Sequence, residues 1–461
     1  MNVPVEGRWH DLCAFFEDEM RGYQIPGASL GVIFEGDDFS AGFGITSVDN
    51  PLPVDPDTLF QIGSITKTFT CAAVMRLVEA GKLRLEDRVR SLLPGYRVAN
   101  EEASASATVW HLLTHTAGWL GDFFIDTGPG EDALARYVSR MNDLPQVAPL
   151  GLQYSYNNAS FTVLGRLLEL VEGEPFEQIV GRLIFEPAGL THCYFKPEDV
   201  MTHRFVVGHR VESDGAHVVG PWALPRCGYP MGGIITNASD LLVYARLMLD
   251  GGKARDGAQL LSAESLAAME AEQARIWQEA ESVGLAWHVE RREGRMLFNH
   301  GGATLGQGAY LEVCPEAGFG LIILANADTA GHLVRSIRRQ ALEAFVGVHL
   351  PDSKWMEMDA AVRKEVEGRY VLPGHSYLDI RSLAGRLIGQ EIHIGGFPSE
   401  DTPPEPTLPP FTLKCIEPDR LVVADGKDKD TLCDILRDEA GTMKWFRKSG
   451  RIHIREPIPD D

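Results

Sequence analysis

The stretch Phe60–Thr70, FQIGSITKTFT, sets Ser64 and Lys67 three residues apart, directly after Gly63. The chain has 21 serines and 11 lysines in 461 residues, so chance alone gives about half an S-x-x-K match. The spacing therefore gains meaning only from its setting. Downstream, Phe69, Ala72, Ala73, Val74, Leu77 and Val78 recur at helical spacing, and Gly81 suits a helix C′ position. A helix beginning at Ser64 puts Ser64 and Lys67 on one face, one turn apart. It also sets the serine N–H at the positive end of the helix dipole, where it can meet a developing oxyanion. The plainer alternative is a serine N-cap followed by a solvated lysine.

Two other short stretches carry matching chemistry. In YSYNNAS, residues 154–160, only Tyr156 has an asparagine two residues on, Asn158. A tyrosine beside a lysine can relay protons, and an asparagine offers a donor and an acceptor to a substrate amide. Alone, the pair reads more simply as a half-buried aromatic in a turn before the helix FTVLGRLLELVEG. In FNHGGATLGQG, residues 298–308, His300 precedes Gly301 and Gly302. Two glycines after a donor on a strand edge let a substrate backbone lie along that edge, and Ala303 can supply an oxyanion N–H. A turn histidine between strands is the alternative. A second H-x-G, His393-Ile394-Gly395, falls in the C-terminal β region and would need a second domain to complete a site.

Composition narrows the classes. Hydrophobic residues make up 44 % and charged residues 23 %, with a formal charge of −22. Such an acidic surface repels phosphate backbones and anionic lipids, so neither nucleic acid nor membrane is an expected partner. The basic cluster Arg335–Gln340 reads as the solvated face of a helix. Seven cysteines without a C-x-x-C pair argue against a disulfide framework or a structural zinc site. The start of the chain lacks a basic n-region followed by an apolar h-region, and no apolar run approaches the ~18 residues of a membrane span. The expectation is a cytoplasmic protein, its oligomeric state open. No G-x-S-x-G elbow appears, since GHSYL lacks the final glycine, and no H-E-x-x-H pattern points to a metal.

The pattern along the chain predicts an α+β arrangement. RWHDLCAFFEDEMRGY reads as a helix, and ASLGVIFEGDDFSAGFGI as a hairpin around Gly36-Asp37-Asp38. Residues from about 110 to 230 read mainly as helices and loops. MGGIITNASDLLVYARLMLDGG gives a short strand and a helix capped by Asn237 or Ser239. GLAWHVE, RMLFNHG, GAYLEVC and FGLIILAN read as strands that join the first hairpin in one antiparallel sheet, closed by the helix GHLVRSIRRQALEAFVG. Beyond VHLPDSKWMEMD come eight short strand candidates: EGRYVL, YLDIRSL, RLIGQEIHI, TLKCIEP, RLVVAD, LCDILRDE, TMKWFRK and RIHIRE. They suggest a small barrel or sandwich. GGFPSEDTPPEPTLPPF is a long Pro-rich acidic loop within it.

The order S-x-x-K, Y-x-N, H-x-G resembles the serine β-lactamase and penicillin-recognising superfamily. More closely it is similar to class C-type β-lactamases, D-aminopeptidases, D-Ala-D-Ala carboxypeptidases and family VIII-type esterases. VWHLLTHTAGW (109–119), MGGIITNASDL, VGLAWHV and HGGATLGQGAYL agree, over about residues 10–347. The resemblance implies a β-lactamase/transpeptidase-like hydrolase domain over residues 1–350, with a helical insertion at about 110–230, and a lipocalin-like β-barrel over residues 356–461. It implies an acyl-enzyme mechanism with neither cofactor nor metal. Ser64 would be the nucleophile, and Lys67 and Tyr156 would share the general base and acid work, which of them deprotonates the serine being left open. Asn158 would bind the substrate amide. Ser64 and Ala303 would give the oxyanion N–H groups beside Gly301 and Gly302.

His300 stands where β-lactamases carry lysine. A histidine with an ordinary pKa of about 6.5 is mostly neutral at pH 7 and holds a carboxylate less strongly. That ranks amide or peptide bonds, including those beside a D-residue, ahead of short-chain esters. β-Lactam hydrolysis or D-Ala-D-Ala carboxypeptidase activity comes third. A non-catalytic scaffold or ligand sensor is the rival from another class. Similar enzymes acting on the amino end of D-residue peptides carry added barrels, so Glu400, Asp401 and Glu405 are candidates to receive a substrate ammonium. A merely solvated acidic loop is the alternative. Trp119, Phe123 and Phe124 read either as cleft lining or as core.

Overall fold

A computed structural model describes residues 4–278, 281–352 and 354–456. Residues 1–3, within the stretch read for a signal peptide, and Ser353, within the expected boundary VHLPDSKWMEMD, lie outside the described residues. By packing, the chain divides into two units. One holds the chain up to Asp87, with residues 127–136 and 161–350; the other holds residues 88–126, 137–160 and the chain from Pro351 on.

The first unit is built on an antiparallel sheet. Helix α1 (Val5–Gly22) buries Leu12, Phe16 and Met20 at i, i+4 and i+8, each worth about 1.5–3 kcal/mol when fully removed from water. Strands β1 (Gly27–Phe34) and β2 (Asp37–Gly44) pair from Phe34↔Asp37 to Gly27↔Gly44. Their two-residue turn is Glu35-Gly36, both at positive φ (52° and 90°). That matches the twist of a tight hairpin and starts the second strand at Asp37, two residues earlier than a turn of Gly36-Asp37-Asp38 would. Helix α2 (Thr66–Glu79) ends at a left-handed Gly81, as expected. Helix α3 (Asn158–Glu172) has its first three residues in the second unit. Helix α4 (Ala238–Leu249) is capped by Asn237, whose side chain accepts from Asp240 N at 2.8 Å.

The remaining strands are β3 (Ala274–Trp277), β4 (Glu281–Val283), β5 (His288–Arg292), β6 (Arg295–Thr304), β7 (Gln307–Cys314) and β8 (Phe319–Ala325). The sheet order is β2-β1-β8-β7-β6-β5-β4-β3. Strand β1 is buried on both faces, which explains why it carries no charged residue and no apolar–polar alternation. Ala28, Leu30, Val32 and Phe34 join a core with α1, β8 and α5 (Ala330–Ala341). On the opposite face Gly31 leaves room for Leu242 of α4, which a Cβ would meet at 3.2 Å. Two features were not expected from sequence: β3 with β4, and a hairpin of His209–Glu212 with Gly215–Val218 inside the stretch read as helices and loops.

The second unit contains a closed eight-stranded barrel, β9 (Gly368–Leu372), β10 (Ser376–Leu383), β11 (Arg386–His393), β12 (Phe411–Glu417), β13 (Arg420–Val423), β14 (Leu432–Arg437), β15 (Met443–Lys448) and β16 (Arg451–Glu456). Each of the eight strand candidates became one strand. β9 closes the ring on β16 through Arg369↔Glu456 and Val371↔Ile454, so no edge is left unpaired. Tyr370, Leu378, Ile380, Leu413, Leu421, Ile435 and Phe446 form the barrel core. The Pro-rich stretch is the long connection between β11 and β12.

Candidate active site

In the first unit, Ser64 lies in a 3₁₀ turn, Gly63–Ile65, and α2 begins only at Thr66. The serine thus sits just ahead of the α-helix instead of opening it. The cause is local. Gly63 adopts φ +51°, and a Cβ there would come within 2.6 Å of Ala303 N and 2.7 Å of Ala303 O. The backbone must turn sharply to pass the strand, which only glycine permits. Lys67 follows one turn on, fully buried. Its Nζ donates to Ser64 Oγ at 2.9 Å and to Met231 O at 2.5 Å, and lies 5.5 Å from the Phe161 ring centroid. Thr66 Oγ1 accepts from Ile234 N at 3.1 Å, and Thr70 Oγ1 donates to Pro230 O at 2.8 Å. Positions 66, 67 and 70 share one helix face, and that face is keyed to the segment 230–234. The hydroxyl and amine are within proton-transfer distance.

Strand β6 supplies the opposite wall. Its ladder with β5 stops at Asn299↔His288, whereas its ladder with β7 runs on to Thr304↔Gln307. Residues 300–304 therefore keep a strand partner on one side only. The segment 62–64 packs there: a Cβ on Gly302 would meet Ile62 O at 1.9 Å and Ser64 N at 3.0 Å. Gly301 is different, since its Cβ would meet only Ala309 O at 3.9 Å. Gly63 and Gly302 together let the backbone amides of Ser64 and Ala303 approach each other, the arrangement that suits an oxyanion.

His300, on the same strand, is buried, and its Nδ1–H donates to Gly301 O at 2.6 Å. That leaves Nε2 as the lone-pair nitrogen of a neutral ring. Burial, followed by the neighbouring His288 ring at 5.3 Å and the Lys67 ammonium, holds its pKa well below the usual histidine range. Beneath it, Asn299 Nδ2 donates to Glu290 Oε1 at 3.1 Å. Arg338 of α5 donates to Glu290 Oε2 at 3.0 Å and to Glu312 Oε1 at 2.7 Å. Burial would raise the Glu290 carboxyl, but Arg338 and Arg292 overcome it and hold it at about 2.

In the second unit stand Tyr156 and Asn158. Tyr156 N donates to Gly450 O at 2.8 Å, in the turn between β15 and β16. The Tyr156 ring stacks on His115 at 4.5 Å, and the Arg451 guanidinium carbon lies 4.8 Å from its centroid. Asn158 Nδ2 donates to Asp122 Oδ1 at 2.6 Å, and Arg451 Nε to Asp122 Oδ2 at 2.5 Å. Burial would raise the Asp122 carboxyl; Arg451, His375 and the Asn158 amide more than offset it and hold it below the usual carboxylate range. Between the two motif residues, Asn157 donates from its backbone N to His115 Nδ1 at 2.9 Å and from Nδ2 to Trp119 O at 2.8 Å.

Trp119 is fully buried against Tyr96 and belongs to the core. Phe123 packs on Tyr137, and Phe124 on His375 and Phe397. Glu400 accepts from Asp126 N at 2.7 Å and pairs with Arg140 at 3.3 Å, so both its oxygens are engaged within the unit. His393 of the other H-x-G stands at the end of β11, its ring 5.9 Å from His375. Ser64, Lys67, His300, Gly301, Gly302 and Ala303 are thus gathered in one unit, and Tyr156 and Asn158 in the other. Sequence reasoning missed the Met231 carbonyl, His115, Asp122 and Arg451. MGGIITNASDL and HTAGW were noticed as stretches, without these contacts; nothing in the sequence marks Asp122 or Arg451.

Comparison with known proteins bears on both units. The family model described as Beta-lactamase matches residues 12–345. Penicillin-binding protein 4 of Amycolatopsis lactamdurans is 35 % identical over 336 residues, 72 % of this chain and 88 % of that one. The crystal structure of SurE superposes with a TM-score of 0.74 at 25 % identity, covering 97 % of this chain and 99 % of its own; SurE has also been solved with D-Leu. The octameric penicillin-binding protein homologue from Pyrococcus abyssi gives a TM-score of 0.62 at 24 % identity, over 97 % and 98 % of the two chains. Among the described residues no helix is long and apolar enough to cross a membrane.

Proposed function

The chain belongs to the Beta-lactamase family, whose members are serine hydrolases, and from that premise we propose that it cleaves amide or peptide bonds, those next to a D-residue first, through an acyl-enzyme on Ser64. The observation that carries this reading is the 2.9 Å contact of the buried Lys67 amine with the Ser64 hydroxyl. Ser64 Oγ attacks the substrate carbonyl carbon. Its proton passes to the Lys67/Tyr156 pair, and the same pair returns a proton to the departing amine. The N–H groups of Ser64 and Ala303 hold the oxyanion, and Asn158 holds the substrate amide. Water then releases the acid and restores Ser64.

His300 favours this substrate order over β-lactams and C-terminal carboxylates. A neutral imidazole lacks the fixed positive charge that would hold a carboxylate oxygen, whereas an uncharged polar group needs none. SurE has been crystallised with D-Leu; the same stereochemistry is the preference proposed for this chain. Short-chain esters rank second, because a neutral imidazole at residue 300 sets no charge of its own against their uncharged ends.

The test is a side-by-side panel of D- and L-aminoacyl anilides, short acyl esters and a cephalosporin, run on the wild type and on Ser64→Ala. Ser64-dependent turnover fastest on the D-anilides supports the reading. Turnover that survives in Ser64→Ala, or a cephalosporin outrunning every anilide, refutes it.

A further inference from the structure

We propose that Arg451, contributed by the barrel, is a positioning residue for the Y-x-N loop: its guanidinium fixes Asp122, which orients Asn158, and lies against the face of Tyr156. The inference rests on the catalytic roles proposed above for Tyr156 and Asn158. It comes from a chain of contacts that no motif contains. Arg451 opens β16 directly after the turn Ser449-Gly450, and Gly450 O takes the Tyr156 N–H at 2.8 Å. From there Arg451 Nε reaches Asp122 Oδ2 at 2.5 Å, and the other carboxylate oxygen takes the Asn158 amide at 2.6 Å. One ion pair thereby sets the rotamer of a residue 329 positions away and, through it, a second.

The neighbouring contacts strengthen the clamp. Ile452 N donates to Ser155 Oγ at 3.2 Å, and Arg447 donates to Tyr154 O at 3.2 Å. Every residue from 154 to 156 is therefore tied to the β15–β16 hairpin. A Cβ on Gly450 would lie 3.4 Å from the Tyr154 ring and 3.7 Å from Tyr156 Cβ, so the hairpin tip and the loop are in van der Waals contact. Arg451 adds what the other contacts lack: a fixed positive charge 4.8 Å from the ring centroid of a phenol that has to give up and regain a proton. Negative charge developing on that ring is stabilised by a cation already in place.

The experiment measures the rate at which a serine-directed phosphonate labels Ser64, by intact mass, in the full chain. It compares the wild type, Arg451→Met, Arg451→Lys and the double variant Asp122→Asn/Arg451→Met, with folding checked by thermal unfolding. Misplacement of reacting groups by about 1 Å costs roughly 100-fold, so Arg451→Met should label roughly 100-fold more slowly, and Arg451→Lys should recover to within about tenfold. The double variant leaves no unpaired buried carboxylate and keeps an acceptor for Asn158. It should remain slow, because the cation beside Tyr156 is gone. A folded Arg451→Met, or a folded double variant, labelling within about threefold of wild type overturns the proposal. A wild type that takes no label at Ser64 refutes the catalytic reading itself, and this inference with it.

Discussion

Gly63 and Ala303 meet backbone to backbone: a side chain at residue 63 would stand 2.6 Å from the Ala303 amide nitrogen. This contact, with its counterpart between Gly302 and Ile62, holds the Ser64 turn against the strand that faces it. Glycine is required at both places for want of space, and at residue 63 also by the left-handed φ.

Gly302→Ala should therefore lower kcat by about 10²–10³, the cost of displacing an oxyanion donor. It should also lower the melting temperature. Gly301→Ala, whose Cβ would meet nothing nearer than 3.9 Å, should keep the wild-type melting temperature. Calorimetry of the two variants separates the cases. Equal melting temperatures would mean that the wall yields at residue 302.

His300→Lys should shift preference toward substrates that end in a carboxylate. Hydrogen bonds to charged groups contribute about 1.5–3 kcal/mol, or roughly tenfold to a hundredfold in relative kcat/KM. The ratio of cephalosporin to D-anilide turnover, measured for both proteins, should rise in the variant. An unchanged ratio would remove His300 from the account of specificity.

His453 should make the fold acid-sensitive. Burial, partly opposed by Glu391 and by the bond from its Nδ1–H to Arg451 O, holds its pKa at about 4. The unfolded chain titrates this group near pH 6.5. Between those values the unfolded chain binds a proton that the native chain refuses, so stability rises with pH and is lost as pH falls below about 6.5. From pH 6.5 to 5 the loss is about 2 kcal/mol. His288 and His300, also held low mainly by burial, act in the same direction. Urea unfolding at pH 6.5 and 5 should show a smaller loss for His453→Gln than for the wild type. An identical loss in both would assign the sensitivity to other groups.

Arg338→Met should destabilise the protein by about 3–5 kcal/mol, because Glu312 would be left buried without its cation and Glu290 with Arg292 alone. Denaturant midpoints at constant m-value give the number. A loss below about 1 kcal/mol would show that the two carboxylates find protons or water instead.

Much of the architecture was legible because the relevant signals are local. Each barrel strand announces itself by alternation bounded by turn residues, and α1 by Leu12, Phe16 and Met20 on one face. Strands β3 and β4 are three or four residues long, and the hairpin at His209–Val218 is mostly polar and half-exposed, so neither carries a periodic signal. At the site, S-x-x-K made Ser64 and Lys67 visible as a pair, and H-G-G marked the strand that packs against them. The Met231 carbonyl is a backbone atom, Asp122 looks like any loop carboxylate, and the carboxylate that Arg451 binds lies 329 positions earlier. Their importance comes from long-range packing, which no spacing rule records. Trp119 shows the converse: it sits in a signature stretch yet serves the core.

The link from Asp122 to Arg451 has a consequence for biosynthesis. The loop bearing Tyr156 and Asn158 leaves the ribosome long before the hairpin that secures it, with 329 positions separating the two ends of the ion pair. Until that hairpin is translated, the nascent loop lacks its guanidinium partner.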